Sequence, residues 1–97
     1  MRLTIIPSDQ AVYVDTVCKM PIDLSSCGIP SNIHALQWYS TRGWIEFSDD
    51  GNPFTPKPPN QEITELPSWA TNCVTKWQEW TPPEPEPIPD QPTISGA

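Results

Sequence analysis

Fourteen prolines in 97 residues, against four glycines, divide this chain before any other feature does. Proline fixes φ and lacks the N–H that helices and sheet ladders need, so a dense run of it marks where regular structure stops. Four stand at positions 53, 56, 58 and 59, and six at 82, 83, 85, 87, 89 and 92. The stretch from Asp49 to Asn60 is therefore expected to be a surface linker. The segment 81–97 is expected to be an extended, acidic, proline-rich arm of polyproline II character. The remainder, residues 1–80, suffices for one compact domain. A chain this small buries only roughly 60–65% of the surface its unfolded form exposes, which leaves it marginal alone.

Inside that body the β signals dominate. Leu3 to Ile6 reads as a short strand stopped by Pro7, and Ala11-Val12-Tyr13-Val14 as a second with high β propensity. Asp15-Thr16 would turn the chain into Val17-Cys18-Lys19-Met20, although this pair lacks the glycine a two-residue hairpin loop prefers. Ala35 to Tyr39 and Gly43 to Phe47 form the clearest hairpin, around Ser40-Thr41-Arg42, with Gly43 available for positive φ. Alternation places Leu36, Trp38, Ile45 and Phe47 on the core side and Tyr39 and Trp44 on the other. Trp44 is then either a binding anchor or a ring packed under a loop.

One amphipathic helix is expected over residues 66–80, with Pro67 in its first turn and Pro82-Pro83 ending it. Leu66, Ala70, Cys73, Trp77 and Trp80 follow steps of four, three, four and three, an apolar stripe suited to covering a sheet face. Trp69, Trp77 and Trp80 exceed what that covering needs. They are not all expected to point inward, and at least one is expected to serve an interface. The fold class is thus α+β: a small antiparallel sheet of about four strands in hairpins, covered by a C-terminal helix and followed by the arm.

Chemistry-bearing patterns are sparse. The formal charge of −7 supplies no basic face for a phosphate backbone, and no apolar run reaches the roughly 18 residues that span a bilayer. The opening Met1-Arg2-Leu3-Thr4-Ile5-Ile6-Pro7 is too brief for an export signal, so Cys18, Cys27 and Cys73, odd in number, are expected to be reduced. Cys18 and Cys27 could meet in a loop. The preferred reading makes Cys73 a small buried hydrophobe and Cys18 a strand residue. Cysteine spacings of nine and forty-six residues with a single histidine do not match a zinc site, so no metal or other cofactor is expected. His34 has no recognisable nucleophile or carboxylate partner, no Gly-x-Ser-x-Gly elbow occurs, and Asp49-Asp50-Gly51-Asn52 lacks the ligands of a calcium loop. No catalytic residue is assigned, and the chain is not expected to be an enzyme.

Several stretches together resemble a group of small tailed-bacteriophage proteins encoded among tail and tail-fibre genes. They are Leu3-Thr4-Ile5-Ile6-Pro7 with Ala11-Val12-Tyr13-Val14-Asp15, and the distinctive block Ile29-Pro30-Ser31-Asn32-Ile33-His34-Ala35-Leu36-Gln37-Trp38-Tyr39. Gly43-Trp44-Ile45-Glu46-Phe47, Pro59-Asn60 and Leu66-Pro67-Ser68-Trp69-Ala70 follow. They cover most of residues 1–80. Such relatives commonly carry Asp-Gly in the first hairpin, where this chain has Asp15-Thr16. The resemblance implies a phage particle or its assembly pathway. The first reading it supports is a structural component of the virion, in the tail or at the attachment point of tail fibres, made in the bacterial host cytoplasm. Its helix and proline-rich arm would clasp other tail or fibre proteins in a symmetric multi-subunit assembly. Charge and hydropathy lead to no expectation of nucleic acid or membrane insertion. A tail-fibre assembly chaperone that leaves before maturation is the alternative. The residues expected to meet a partner are Trp44, Trp69, Trp77 and Trp80, with Pro83, Pro85, Pro87, Ile88 and Pro89 of the arm.

Overall fold

The computed structural model describes residues 1–49 and 51–82. Six strands form one antiparallel sheet: β1 (Arg2–Ile6), β2 (Ala11–Val14), β3 (Val17–Lys19), β4 (Ile33–Tyr39), β5 (Arg42–Phe47) and β6 (Gln61–Ile63). Their spatial order is β3-β2-β1-β4-β5-β6. Among the described residues one α-helix, α1 (Ser68–Glu79), follows, and a single 3-10 turn at Pro7–Asp9 joins β1 to β2. The α+β class therefore holds, with six strands where about four were expected. The added edge strand β6 comes from Gln61-Glu62-Ile63, which the sequence offers as a lead-in to the helix and which instead pairs with β5, Gly43 opposite Ile63. The helix also begins two residues later than position 66. Pro67 sits at the N-cap with ψ 154, and its carbonyl accepts the N–H of Ala70 and of Thr71.

Alternation along the strands sorts the side chains onto two faces. On one face the register lines up Val12, Ile5, Leu36 and Ile45 in one row, and Val17, Val14, Leu3, Trp38, Gly43 and Ile63 in the next. Leu3, Ile5, Val12 and Leu36 there are completely buried. Helix α1 lies over this face, burying Ala70 and Cys73, while Leu66, Trp69, Val74, Trp77 and Trp80 pack around them. The connection from β3 to β4 contributes Ile22, Leu24 and Cys27 to the same core. Burying each such aliphatic side chain is worth about 1.5–3 kcal/mol, which is how a short chain recovers its ordering entropy.

Two turns depart from expectation. The β4–β5 hairpin closes on Ser40-Thr41, and the residue with positive φ is Ser40 (+57) rather than Gly43. Gly43 is needed for space instead: a Cβ there would lie 2.0 Å from the Gln37 carbonyl oxygen and 2.8 Å from Trp38 Cα. The β2–β3 turn puts Asp15 at φ +56 and Thr16 at φ +137. A glycine would sit easily at the second of these positions, and a β-branched threonine does not.

All three cysteines are free thiols, with Cys18 exposed on β3 and Cys27 and Cys73 buried. Cys27 therefore neighbours Cys73 in the core rather than Cys18. Burial first, and the adjacent Cys27 second, push the Cys73 thiol up to about 12. The acidic arm assigned to 81–97 falls, from residue 83 onward, outside the described residues, and so do Pro83, Pro85, Pro87, Ile88 and Pro89.

Candidate interaction surface

The helix tryptophans are engaged within the body. The Trp77 indole N–H donates to the Val17 carbonyl at 3.1 Å, and the Trp80 indole N–H to the Pro21 carbonyl at 2.9 Å. The Lys19 ammonium donates to the Trp77 carbonyl at 3.0 Å and lies 3.9 Å from the Trp77 ring centroid. A cation on the last-turn carbonyls also complements the helix dipole. Trp69 packs half-buried against the core. All three indoles thus face the body, contrary to the expectation that they could not. The helix packs chiefly over β2, and its C-terminal end reaches the edge strand β3 through the Trp77 ring.

The opposite sheet face has no such cover among the described residues. One row crosses all six strands: Cys18, Tyr13, Thr4, Gln37, Trp44 and Glu62. The next row carries Arg2, Tyr39 and Arg42. Tyr13 and Tyr39 are 37% and 40% exposed, high for aromatic residues in paired strands. The Tyr39 and Trp44 rings stack, with centroids 5.6 Å apart and planes at 27°. The Arg2 guanidinium lies 4.9 Å over the Tyr39 ring, and its Nη2 donates to the Tyr39 hydroxyl at 3.4 Å. The Trp44 indole N–H donates to Glu46 Oε2 at 2.9 Å, which fixes that ring. Tyr13 opposes Cys18, and the Cys18 sulfur raises the Tyr13 hydroxyl above its ordinary value by hydrogen bonding and then by its charge.

Between these aromatic walls the floor is small and polar. Thr4 Oγ1 donates to Gln37 Oε1 at 2.7 Å, which leaves the Gln37 amide N–H groups directed to no protein acceptor among the described residues. Neither the Arg2 nor the Arg42 guanidinium bonds a described carboxylate, although the Arg2 backbone N–H donates to Asp15 Oδ1 at 2.9 Å. Two depressions flank the floor: one of about 200 Å³ lined by Arg2, Thr4, Tyr13 and Thr16, and one of about 370 Å³ lined by Tyr39, Arg42, Gly43, Trp44 and Glu62. From Tyr13 on β2 to Trp44 on β5 is three interstrand spacings, about 14 Å. A trough of this kind offers flat rings, free N–H donors and two guanidinium groups. It suits an extended chain that brings apolar rings, carbonyl acceptors and carboxylates.

Of the residues assigned from sequence to a partner surface, Trp44 lies in this trough, while Trp69, Trp77 and Trp80 lie under the helix on the far side. The trough residues that sequence reasoning passed over are Arg2, Tyr13, Gln37, Arg42 and Glu62. Strand alternation alone would have put Tyr13 opposite the core-facing Val12 and Val14. The rest needed the register across β1, β4, β5 and β6. Elsewhere, Phe54 stands 91% exposed in the proline-rich linker, its N–H bonded to Asn52 Oδ1.

No three His, Cys, Asp or Glu side chains converge as a metal site among the described residues, and no described helix is long and apolar enough to cross a membrane. His34 is exposed at the register shift between Ile33 and Ala35, away from the trough. In comparisons with protein-family models, curated proteins and solved structures, the chain matches none.

Proposed function

We propose that this chain is a structural component of a tailed-bacteriophage virion, a tail or tail-fibre-attachment protein that docks on neighbouring subunits. The observation that carries the docking is the uncovered sheet face, where Tyr13, Tyr39 and Trp44 stand exposed or half-exposed beside two guanidinium groups that bond no carboxylate among the described residues. Exposed aromatics clustered with arginine make up the composition of interface centres rather than of ordinary surface. The phage setting rests on the resemblance of the Ile29–Tyr39 block and its flanking stretches. The docking surface assigned here is the sheet face together with the proline-rich segment, and the helix supports it from behind.

Mass spectrometry of purified particles of the encoding phage tests this reading. The chain is expected in stoichiometric amounts with the tail proteins. Its loss from mature particles, with co-purification on the unassembled fibre, supports the assembly-chaperone alternative instead.

A further inference from the structure

We propose that the trough between Tyr13 and Trp44 receives the acidic proline-rich segment 83–92 of a second copy of this chain. This rests on the docking function above and names the site and its occupant. Fifteen residues follow Pro82, and they begin where Trp80 is fastened to Pro21 on the helix side, next to edge strand β3. At about 3.1 Å per residue in polyproline II geometry the ten residues 83–92 would span roughly 31 Å. Prolines at 82, 83, 85, 87 and 89 resist the sharp reversal needed to pass round β3 onto the same molecule's trough. A neighbour's trough requires no reversal.

The chemistries match in kind. With three residues per turn, polyproline II geometry would put Pro85 and Ile88 on one edge of the segment and Glu84, Pro87 and Asp90 on the next. The first edge supplies rings and a branched side chain for Tyr13, Tyr39 and Trp44. The second supplies carboxylates for Arg2 and Arg42, whose guanidinium groups bond no carboxylate among the described residues. In polyproline II geometry the segment's backbone carbonyls would stay unbonded, and the Gln37 amide N–H groups meet no acceptor among the described residues. A stiff segment also loses little freedom on docking, so a shallow trough suffices to hold it. Because the contact runs from one copy's segment to another's trough, it is head-to-tail and builds a ring or a filament.

Sedimentation velocity of the full chain over roughly a hundredfold concentration range tests this. The apparent mass is expected to rise with concentration, and to stay at one copy for the trough variants Tyr39→Ala and Arg42→Glu. It is expected to stay there equally for the segment variant Glu84→Lys with Ile88→Asp, whose changes lie outside the folded body. Mixing a trough variant with a segment variant leaves one intact trough and one intact segment, so a species of two copies and no larger is expected. Self-association that survives both sets of substitutions overturns the proposal, as does a chain that stays single throughout. Presence in particles without self-association overturns this inference alone, whereas loss from particles overturns the reading beneath it.

Discussion

The indole N–H of Trp77 donates to the backbone carbonyl of Val17 at 3.1 Å, tying the last turn of the helix to the edge strand of the sheet. Lys19, two residues along the same strand, bonds the Trp77 carbonyl and covers its ring. An exposed strand edge invites pairing with another chain, and this clamp closes part of it. The tryptophans therefore serve the fold on the helix side of the sheet.

Trp77→Phe keeps the ring and loses the bond, and is expected to cost about 1 kcal/mol. Trp77→Ala loses the packing as well and is expected to cost about 3–4 kcal/mol. Urea denaturation midpoints read both. Equal losses would mean that the ring contributes nothing beyond its N–H.

Thr16 holds φ +137 in the β2–β3 turn, a conformation that glycine adopts freely. Thr16→Gly is expected to stabilise the protein by about 1 kcal/mol, the released strain exceeding the added entropy of the unfolded chain. Thermal unfolding checks this, and a lowered midpoint would contradict the turn geometry.

Gly43 faces Trp38 across the β4–β5 pair, and a methyl group there would collide with the Gln37 carbonyl, which is backbone and cannot swing aside. Gly43→Ala is expected to cost at least about 3 kcal/mol, at the upper end of overpacking effects. Soluble yield and the urea midpoint should both fall.

Burial holds the Cys73 thiol near 12, above its ordinary value of 9.0, so the folded state binds that proton more tightly than the unfolded state does. Below pH 9 the residue leaves stability unchanged. As pH rises from about 9 toward 12 the unfolded thiol ionises while the folded one does not, and stability falls by up to about 1.4 kcal/mol per pH unit. Alkaline denaturation curves should show this slope, and Cys73→Ala should flatten it.

Much of the body was legible in the sequence because periodicity carries it. The strands at Ala11–Val14 and Gly43–Phe47, and the stripe Leu66, Ala70, Cys73 and Trp77, follow from alternation and from steps of three and four. Strand β6 was missed because Gln61, Glu62 and Ile63 offer too short and polar a pattern, and only pairing with β5 makes them a strand. The trough was harder to foresee. Arg2, Tyr13, Gln37 and Arg42 come from four strands, and they share a face only through the order β2-β1-β4-β5, which no local pattern encodes. That all three helix tryptophans pack against the body was not legible for a related reason, since the carbonyls of Val17 and Pro21 that satisfy two of the indoles lie about sixty residues away.

Docking through the uncovered sheet face is tested most directly by incorporation into particles. Phage assembled with Tyr39→Ala or Arg42→Glu should carry about tenfold less of the chain per particle, matching a loss near 1.4 kcal/mol. Phage assembled with Thr75→Ala, on the outward side of α1, should carry the normal amount. Normal incorporation of both trough variants, with the helix variant excluded, would contradict the assignment and return the docking surface to the helix.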